Sequence, residues 1–409
     1  MGVAGRVPIA GLSAAKLEYG RAIRALWALD AGTSFLNHGS FGACPLSVLR
    51  EQDRWRLEME RNPDRFFAER IVPTREQTAV RDAAAELGDF VGVAGHDLAF
   101  VENPTTGTQA VLQSSELKAG DRILITTHQY NAVRLAVERR CAETGAEPLV
   151  VQLPLRTTSD EVRSRIREAA DARVKLAIVD HITSATALVF PVREIVADFH
   201  ERGIPVLIDG AHAAGQIPLD LAELQADWYV GSAHKWLYAP KGSAFLYASP
   251  RVSASTRPAI TSHFVDIGFP RAFDYVGTRD NSNWLAVPAA IRFFRELDPP
   301  RMWRRNRVLL ERASELLADL GAEPIGPLEM CASMRTFVLP QARELHDDDG
   351  LELREMLWSE GVQVNSMTAF GSLLLRVCAQ AYVDEEDLIR LASVLRSRGW
   401  PGRESPQAR

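Results

Sequence analysis

Between residues 98 and 248 the chain alternates short apolar runs with amphipathic segments, and this alternation restricts the fold more than any other feature. The apolar runs fall at 98–101, 122–126, 148–152, 175–180, 205–209, 228–231 and 244–247 and are rich in Val, Ile, Leu and aromatic residues. They do not switch strictly between apolar and polar, which is how strands covered on both faces read. Segments such as 159–170 and 193–202 lie between them with helical periodicity. Strand–helix alternation predicts an α/β unit around a mostly parallel central sheet. Residues 285–297 read as a helix leaving this unit, stopped by Pro299-Pro300. Beyond it, helices at 302–320, 351–360 and 385–396 mix with short strands at 334–339 and 373–378, which predicts a smaller α+β domain. The expected organisation is an N-terminal segment 1–33 packing with the small domain, a large domain 34–297, a small C-terminal domain 298–400 and a polar tail 401–409.

Apolar residues make up 46% of the 409, enough for cores of this size. The formal net charge of −6 argues against a general nucleic-acid binder and against a polybasic membrane contact. No apolar run is long enough to span a bilayer, and no signal-peptide pattern is visible. Met1-Gly2 is followed by Arg6 where a myristoylation motif needs Ser or Thr. The cysteines, Cys44, Cys141, Cys331 and Cys378, form no C-x-x-C pair, so neither a metal site nor a disulfide framework is expected. These features describe a cytoplasmic protein.

In parallel sheets, ligands bind outside the carboxyl ends of the strands. The stretches 103–107, 128–131, 181–186, 209–212 and 232–235 each follow a predicted strand. Lysines are scarce (Lys16, Lys118, Lys175, Lys235 and Lys241), so few amines are available for imine chemistry. Lys235 sits in Gly231-Ser-Ala-His-Lys-Trp236, where nearby polar donors suit an amine that bonds an aldehyde cofactor and later serves as a base. A lone lysine after a strand is otherwise a solvated charge. Asp209 opens Asp-Gly-Ala-His212 at a strand end. It reads either as a helix cap or as the carboxylate that keeps the ring nitrogen of pyridoxal 5′-phosphate (PLP) protonated. His212 is then placed for the ring's phenolic oxygen. Asn103-Pro-Thr-Thr-Gly-Thr108 precedes an apparent helix, whose N-terminus offers free N–H groups to a phosphate.

Asp209 and Lys235, 26 positions apart, lie with Thr105-Thr106 upstream in the order of fold-type I PLP-dependent transferases. Five stretches together resemble the class V aminotransferase-like family, and most of all its isopenicillin-N-epimerase-like branch. They are Phe35-Leu-Asn-His-Gly-Ser-Phe-Gly42, Asp209-Gly-Ala-His212, Ala233-His-Lys-Trp236, Tyr275-Val-Gly-Thr278 and Leu375-Arg-Val-Cys-Ala-Gln-Ala-Tyr382. The resemblance spans roughly residues 34–400. It implies that Lys235 holds PLP as a Schiff base, Asp209 meets the ring nitrogen and His212 the ring hydroxyl. Tyr130 would stack on the pyridine. Thr106, Gly107, Ser232 and His234 would hold the phosphate. Gly277 and Thr278 would reach the phosphate of a neighbouring subunit, which implies a homodimer with shared active sites. Arg376 would bind the substrate α-carboxylate through a planar, bidentate guanidinium. Asn37, His38 and Thr183 would line the substrate side.

The resemblance does not fix the reaction. The branch includes lyases that cut C–S bonds of cysteine conjugates in biosynthetic pathways, as well as amino-acid epimerases. The stretch 361–375 lacks the nucleophilic cysteine that desulfurases of the family carry upstream of the carboxylate-binding arginine. C–S cleavage is the favoured expectation. Epimerisation is the alternative, followed by oxidative deamination with decarboxylation or transamination. A non-catalytic regulator on this fold would be expected to lack the lysine or the aspartate, and both are present.

Overall fold

A computed structural model of the chain describes residues 18–341 and 344–399. The expected tail 401–409, Lys16 and the first half of the expected segment 1–33 lie outside them. In chain order the strands are β1 (Ser34–Phe35), β2 (Leu98–Val101), β3 (Arg122–Thr126), β4 (Glu147–Val151), β5 (Val174–Asp180), β6 (Val206–Gly210), β7 (Trp228–Ser232), β8 (Ala244–Ala248), β9 (Glu323–Pro324), β10 (Met334–Leu339), β11 (Val362–Gln363), β12 (Asn365–Ala369) and β13 (Ser372–Cys378). The central sheet has the order β2-β8-β7-β6-β5-β3-β4. Its pairs β3–β4, β3–β5, β5–β6 and β6–β7 are parallel. β8 runs antiparallel to both of its neighbours.

The lack of strict alternation in these strands has a direct cause. Odd and even positions face two separate apolar clusters. Leu124, Val179, Ile208 and Phe245 belong to one face; Ile125, Ile178, Leu207 and Leu246 belong to the other. Both faces exclude water, so both sets of positions must be apolar. Each fully buried aliphatic side chain contributes on the order of 1.5–3 kcal/mol, which makes this sheet the rigid base of the molecule.

A second sheet, β12-β13-β10-β9, is antiparallel and lies in the C-terminal part. The helices Asp349–Ser359 and Glu385–Ser397 belong to the same part. β1 pairs with β11, and the Gly20 N–H donates to the Ala381 carbonyl, so the start of the described chain is tied to this region. Pro299-Pro300 does not stop the preceding helix, which ends at Glu296. The two prolines open the next one, Pro299–Ala318. That is where proline fits, because the first turn has no use for its missing N–H. No helix among the described residues is long and apolar enough to cross a membrane.

Candidate active site

A cavity of about 470 Å³ opens at the carboxyl ends of β5, β6 and β7. Asp180, Asp209 and Ser232 line it from the strand ends, Asn103 to Thr106 from a helix start, Tyr130 from a loop, and Lys235 from the turn after β7. The sheet puts the strand residues there because the parallel strands deliver their carboxyl ends to the same edge.

Lys235 follows β7 by three residues and opens onto the cavity. Protein packed around the amine pushes its pKa down to about 8, with the Arg376 cation adding to the effect and Asp209 opposing it. Lys235 Nζ lies 3.2 Å from His212 Nε2. Trp236 Nε1–H donates to His212 Nδ1 at 3.3 Å, so Nε2 carries the ring's proton. Burial keeps this imidazole well below the usual histidine range. Asp209 is buried, and its Oδ1 accepts the Ala211 N–H at 3.0 Å. Burial raises its pKa, while that hydrogen bond and Lys235 favour the carboxylate.

The phosphate end is assembled differently. Asn103 caps the helix Pro104–Ser114, its Oδ1 accepting the Thr106 N–H at 2.9 Å and the Thr106 hydroxyl at 3.3 Å. Ser232 Oγ is buried and has no hydrogen-bond partner, although it lines the cavity. A buried unpaired hydroxyl costs stability unless a ligand satisfies it, so this atom fits a phosphate oxygen. His234 lines the same wall; its Nδ1–H donates to the Ser243 carbonyl at 2.9 Å, and burial pushes it down to about 4. Gly107 does not reach the cavity. It is glycine because a Cβ there would come 2.7 Å from Val230 Cγ1, so it lets the helix settle on β7.

Tyr130 is 49% exposed and lines the cavity, which leaves its ring free to cover a bound ligand. Gly277 and Thr278 are not on the cavity wall of their own chain. Thr278 is exposed, with its hydroxyl 3.1 Å from that of Tyr275.

The expected substrate side is the part the structure rearranges. Thr183 is fully buried; its hydroxyl pairs with Thr186 at 2.6 Å and accepts the Leu188 N–H at 2.8 Å. It shapes the loop, and its neighbour Ser184 lines the cavity instead. His38 is also fully buried. Its Nε2–H donates to the Lys235 carbonyl at 2.9 Å and its Nδ1 accepts from Tyr382 Oη at 2.6 Å. It therefore holds the lysine turn in place and does not meet substrate. The same turn crowds Gly42, where a Cβ would lie 2.1 Å from the His234 carbonyl oxygen and φ is +68°. Arg376 is 1% exposed and stands behind the wall. It donates to the Ser184 carbonyl at 2.6 Å, to Asn37 Oδ1 at 3.3 Å and to Ser40 Oγ at 3.0 Å, while its Nε stays unpaired. These bonds draw the guanidinium inward, and Asn37 is occupied with it. The cavity surface is Ser40, Phe41 and Ser184. Sequence reasoning missed these three, and also Asp180. Each carried a signal at the level of its stretch: Asp180 as an acidic residue closing an apolar strand, Ser40 and Phe41 inside the Phe35–Gly42 stretch, and Ser184 inside 181–186 after a strand.

Comparison with known proteins places this geometry. Residues 44–391 match the family model described as Aminotransferase class-V. The chain is 33% identical over 349 residues to putative L-cysteine desulfhydrase 1 of Oryza sativa subsp. japonica, covering 80% of this chain and 72% of that protein. It is 32% identical over 390 residues to isopenicillin N epimerase of Streptomyces clavuligerus, covering 90% and 95%. Its fold is similar to that of C-DES, solved with glycine covalently linked to its PLP cofactor. The TM-score is 0.76 at 19% identity, over 91% of this chain and 98% of that one.

Proposed function

Because this chain belongs to the class-V aminotransferase family and is a PLP-dependent enzyme, we propose that it cuts the C–S bond of cysteine or a cysteine conjugate by β-elimination. The net reaction takes R–S–CH₂–CH(NH₃⁺)–COO⁻ and water to the thiol R–SH, pyruvate and ammonium. Bound PLP supplies an electron sink for the pair left when Cα loses its proton.

The observation that carries this reading is the pairing of one available base with the absence of a thiol nucleophile. Lys235 Nζ, pushed down to about 8, takes the Cα proton and can pass it to the departing sulfur. His212 fixes the amine from one side, and the His38–Tyr382 pair holds its backbone. Tyr130 would cover the ring, and Ser232 with Thr106 would hold the phosphate; all three line the cavity. Arg376, reached through Ser40 and Ser184, takes the α-carboxylate. Desulfurase chemistry, in which the sulfur is transferred to an enzyme thiol as a protein persulfide, would need a cysteine at the cavity, yet all four cysteines are buried and none lines it. The desulfhydrase relatives point the same way.

Epimerisation is the second reading. The isopenicillin N epimerases of two organisms align over 95% and 96% of their own lengths, against 72% to 76% for the plant desulfhydrases. Gly277 and Thr278 stand free of their own cavity, and we assign them to the phosphate of a second copy in a homodimer. The deciding experiment incubates the PLP-loaded enzyme with L-cysteine, cystine and S-alkyl cysteines in deuterium oxide. Pyruvate is expected in equal amount with the released sulfur product: sulfide from L-cysteine, cysteine persulfide from cystine and a thiol from the S-alkyl cysteines. Cα-deuterated D-amino acid without pyruvate would replace elimination with epimerisation.

A further inference from the structure

The cavity floor holds one more carboxyl than the site above uses. Asp180 closes β5, Asp209 is the second-last residue of β6, and the two are Cα partners across the parallel pair. Residues in register on neighbouring strands point to the same face, and both line the cavity. Both are nearly inaccessible, at 2% and 3% exposure. The backbone N–H groups of Asp180 itself and of Tyr130 act on the Asp180 carboxyl, but its Oδ2 is buried without a partner.

The groups around this carboxyl decide its form. Asp209 faces it from β6. From β7 comes Tyr229, whose hydroxyl is 3.0 Å from His181 Nδ1. His181 is held neutral by burial, pushed down to about 4, and His212 is neutral as well. Lys235 brings the amine that acts on Asp209. Two carboxylates side by side in such a pocket do not both ionise, because each raises the other and burial raises both. Asp209 keeps the charge, since Lys235 and the Ala211 N–H support it. For Asp180, burial and then the Asp209 charge both favour the acid form.

We propose that Asp180 is a positioning residue of the PLP site, a neutral hydrogen-bond donor whose protonated Oδ2 is reserved for an acceptor oxygen on the cofactor's ring, beside the Asp209 contact. The phenolic oxygen of PLP has lone pairs for two donors, so Asp180 acts there together with His212. The inference rests on Asp209 serving the ring nitrogen. It does not depend on which bond the enzyme breaks.

The test compares Asp180→Asn and Asp180→Ala with the wild type, using PLP affinity and the absorption maximum of bound PLP as readouts. Asn keeps a neutral donor; Ala has none. Asp180→Ala is expected to lose about tenfold in PLP affinity, the scale of one buried hydrogen bond, and to shift the absorption maximum. Asp180→Asn is expected to restore both. The infrared difference between wild type and Asp180→Asn should show the carbonyl stretch of one protonated carboxylic acid, and this readout stands even if the Ala variant does not fold. A missing acid band, an Asn variant as impaired as Ala, or an Ala variant identical to wild type each overturns the proposal. Asp209→Asn, measured in parallel, separates the two claims. If it leaves the spectrum of bound PLP unchanged, the assignment of Asp209 itself fails.

Discussion

The two sides of the cavity are built on different principles. The floor comes from one contiguous sheet: Asp180, Asp209 and Ser232 lie at the carboxyl ends of adjacent strands, and Lys235 follows three residues after the last of them. Their positions are fixed by backbone register and by apolar packing on both faces of the sheet. The other side is gathered from afar. Arg376 in β13 meets Asn37 and Ser40, more than 330 positions away in the chain, and Ser184 from the loop after β5. The floor presents its polar atoms to the cavity, Ser232 Oγ without a partner. The far side presents serines and keeps its charge behind them. A scaffold that holds a permanent cofactor gains from a preorganised surface. A side that must admit and release substrate can keep its cation hydrogen-bonded until a carboxylate arrives, since an unpaired buried guanidinium is costly.

Breaking the floor has the largest expected effect. If Lys235 bonds PLP and moves the Cα proton as proposed, Lys235→Ala should reduce turnover to background while PLP still binds weakly and without a covalent link. Borohydride should no longer fix the cofactor to the protein. A trappable lysine adduct at normal yield would reassign the role, with Lys241 the first candidate. Mixing this chain with Thr278→Ala adds a test of the dimer. If Thr278 acts on the partner's phosphate, one site of the mixed dimer has both defects and the other has neither. At limiting PLP the mixture should exceed both parents, and equal activity would end the shared-site assignment.

Disturbing the far side should cost less. Arg376→Lys keeps the charge but loses the fork that grips a carboxylate bidentately. KM for cysteine is expected to rise roughly 10- to 100-fold, the scale of charge-assisted hydrogen bonds, with a smaller change in kcat. A drop in kcat alone, with KM unchanged, would make Arg376 a support for Ser184 and Asn37.

The same contrast explains what the sequence revealed. The central strands read correctly to within a residue at each end, because two-sided burial leaves a dense apolar signal and short, regular spacing. Asp209, His212, Ser232 and Lys235 were legible because they follow strands, and the rule that ligands sit at strand ends is local. Asp180 obeys the same rule and was passed over as the mere end of its strand. The far side was not legible from local pattern. Thr183 and Ser184 are adjacent and alike, and only the loop's own hydrogen bonds decide which turns inward. His38 lies in a recognisable stretch, but its contact with the Lys235 carbonyl spans 197 positions of the chain, so no local pattern shows it. Likewise, Pro299-Pro300 marks a boundary whose side is set by the left-handed turn at Asp298, where φ is +49°.

The smallest expected effect ties the two sides together through charge. Covalent capture of PLP needs the neutral amine of Lys235. Its pKa is lowered from 10.5 to about 8, so the ammonium form dominates below that pH and the amine above it. At pH 7 roughly a tenth of the chains hold the reactive amine, and at pH 8 about half. The rate at which apo-protein captures PLP should therefore rise about fivefold between those values and level off above about pH 9. Rapid-mixing absorbance records this directly. An ordinary lysine would keep accelerating close to tenfold per pH unit across the same range, and that behaviour would contradict the burial of Lys235. After burial, the largest influence lowering this amine is the Arg376 cation on the opposite side. Arg376→Gln should therefore move the midpoint of the capture profile to higher pH, whereas Arg376→Lys, which keeps the charge, should move it less. An unchanged midpoint in Arg376→Gln would mean that the two sides are electrostatically independent.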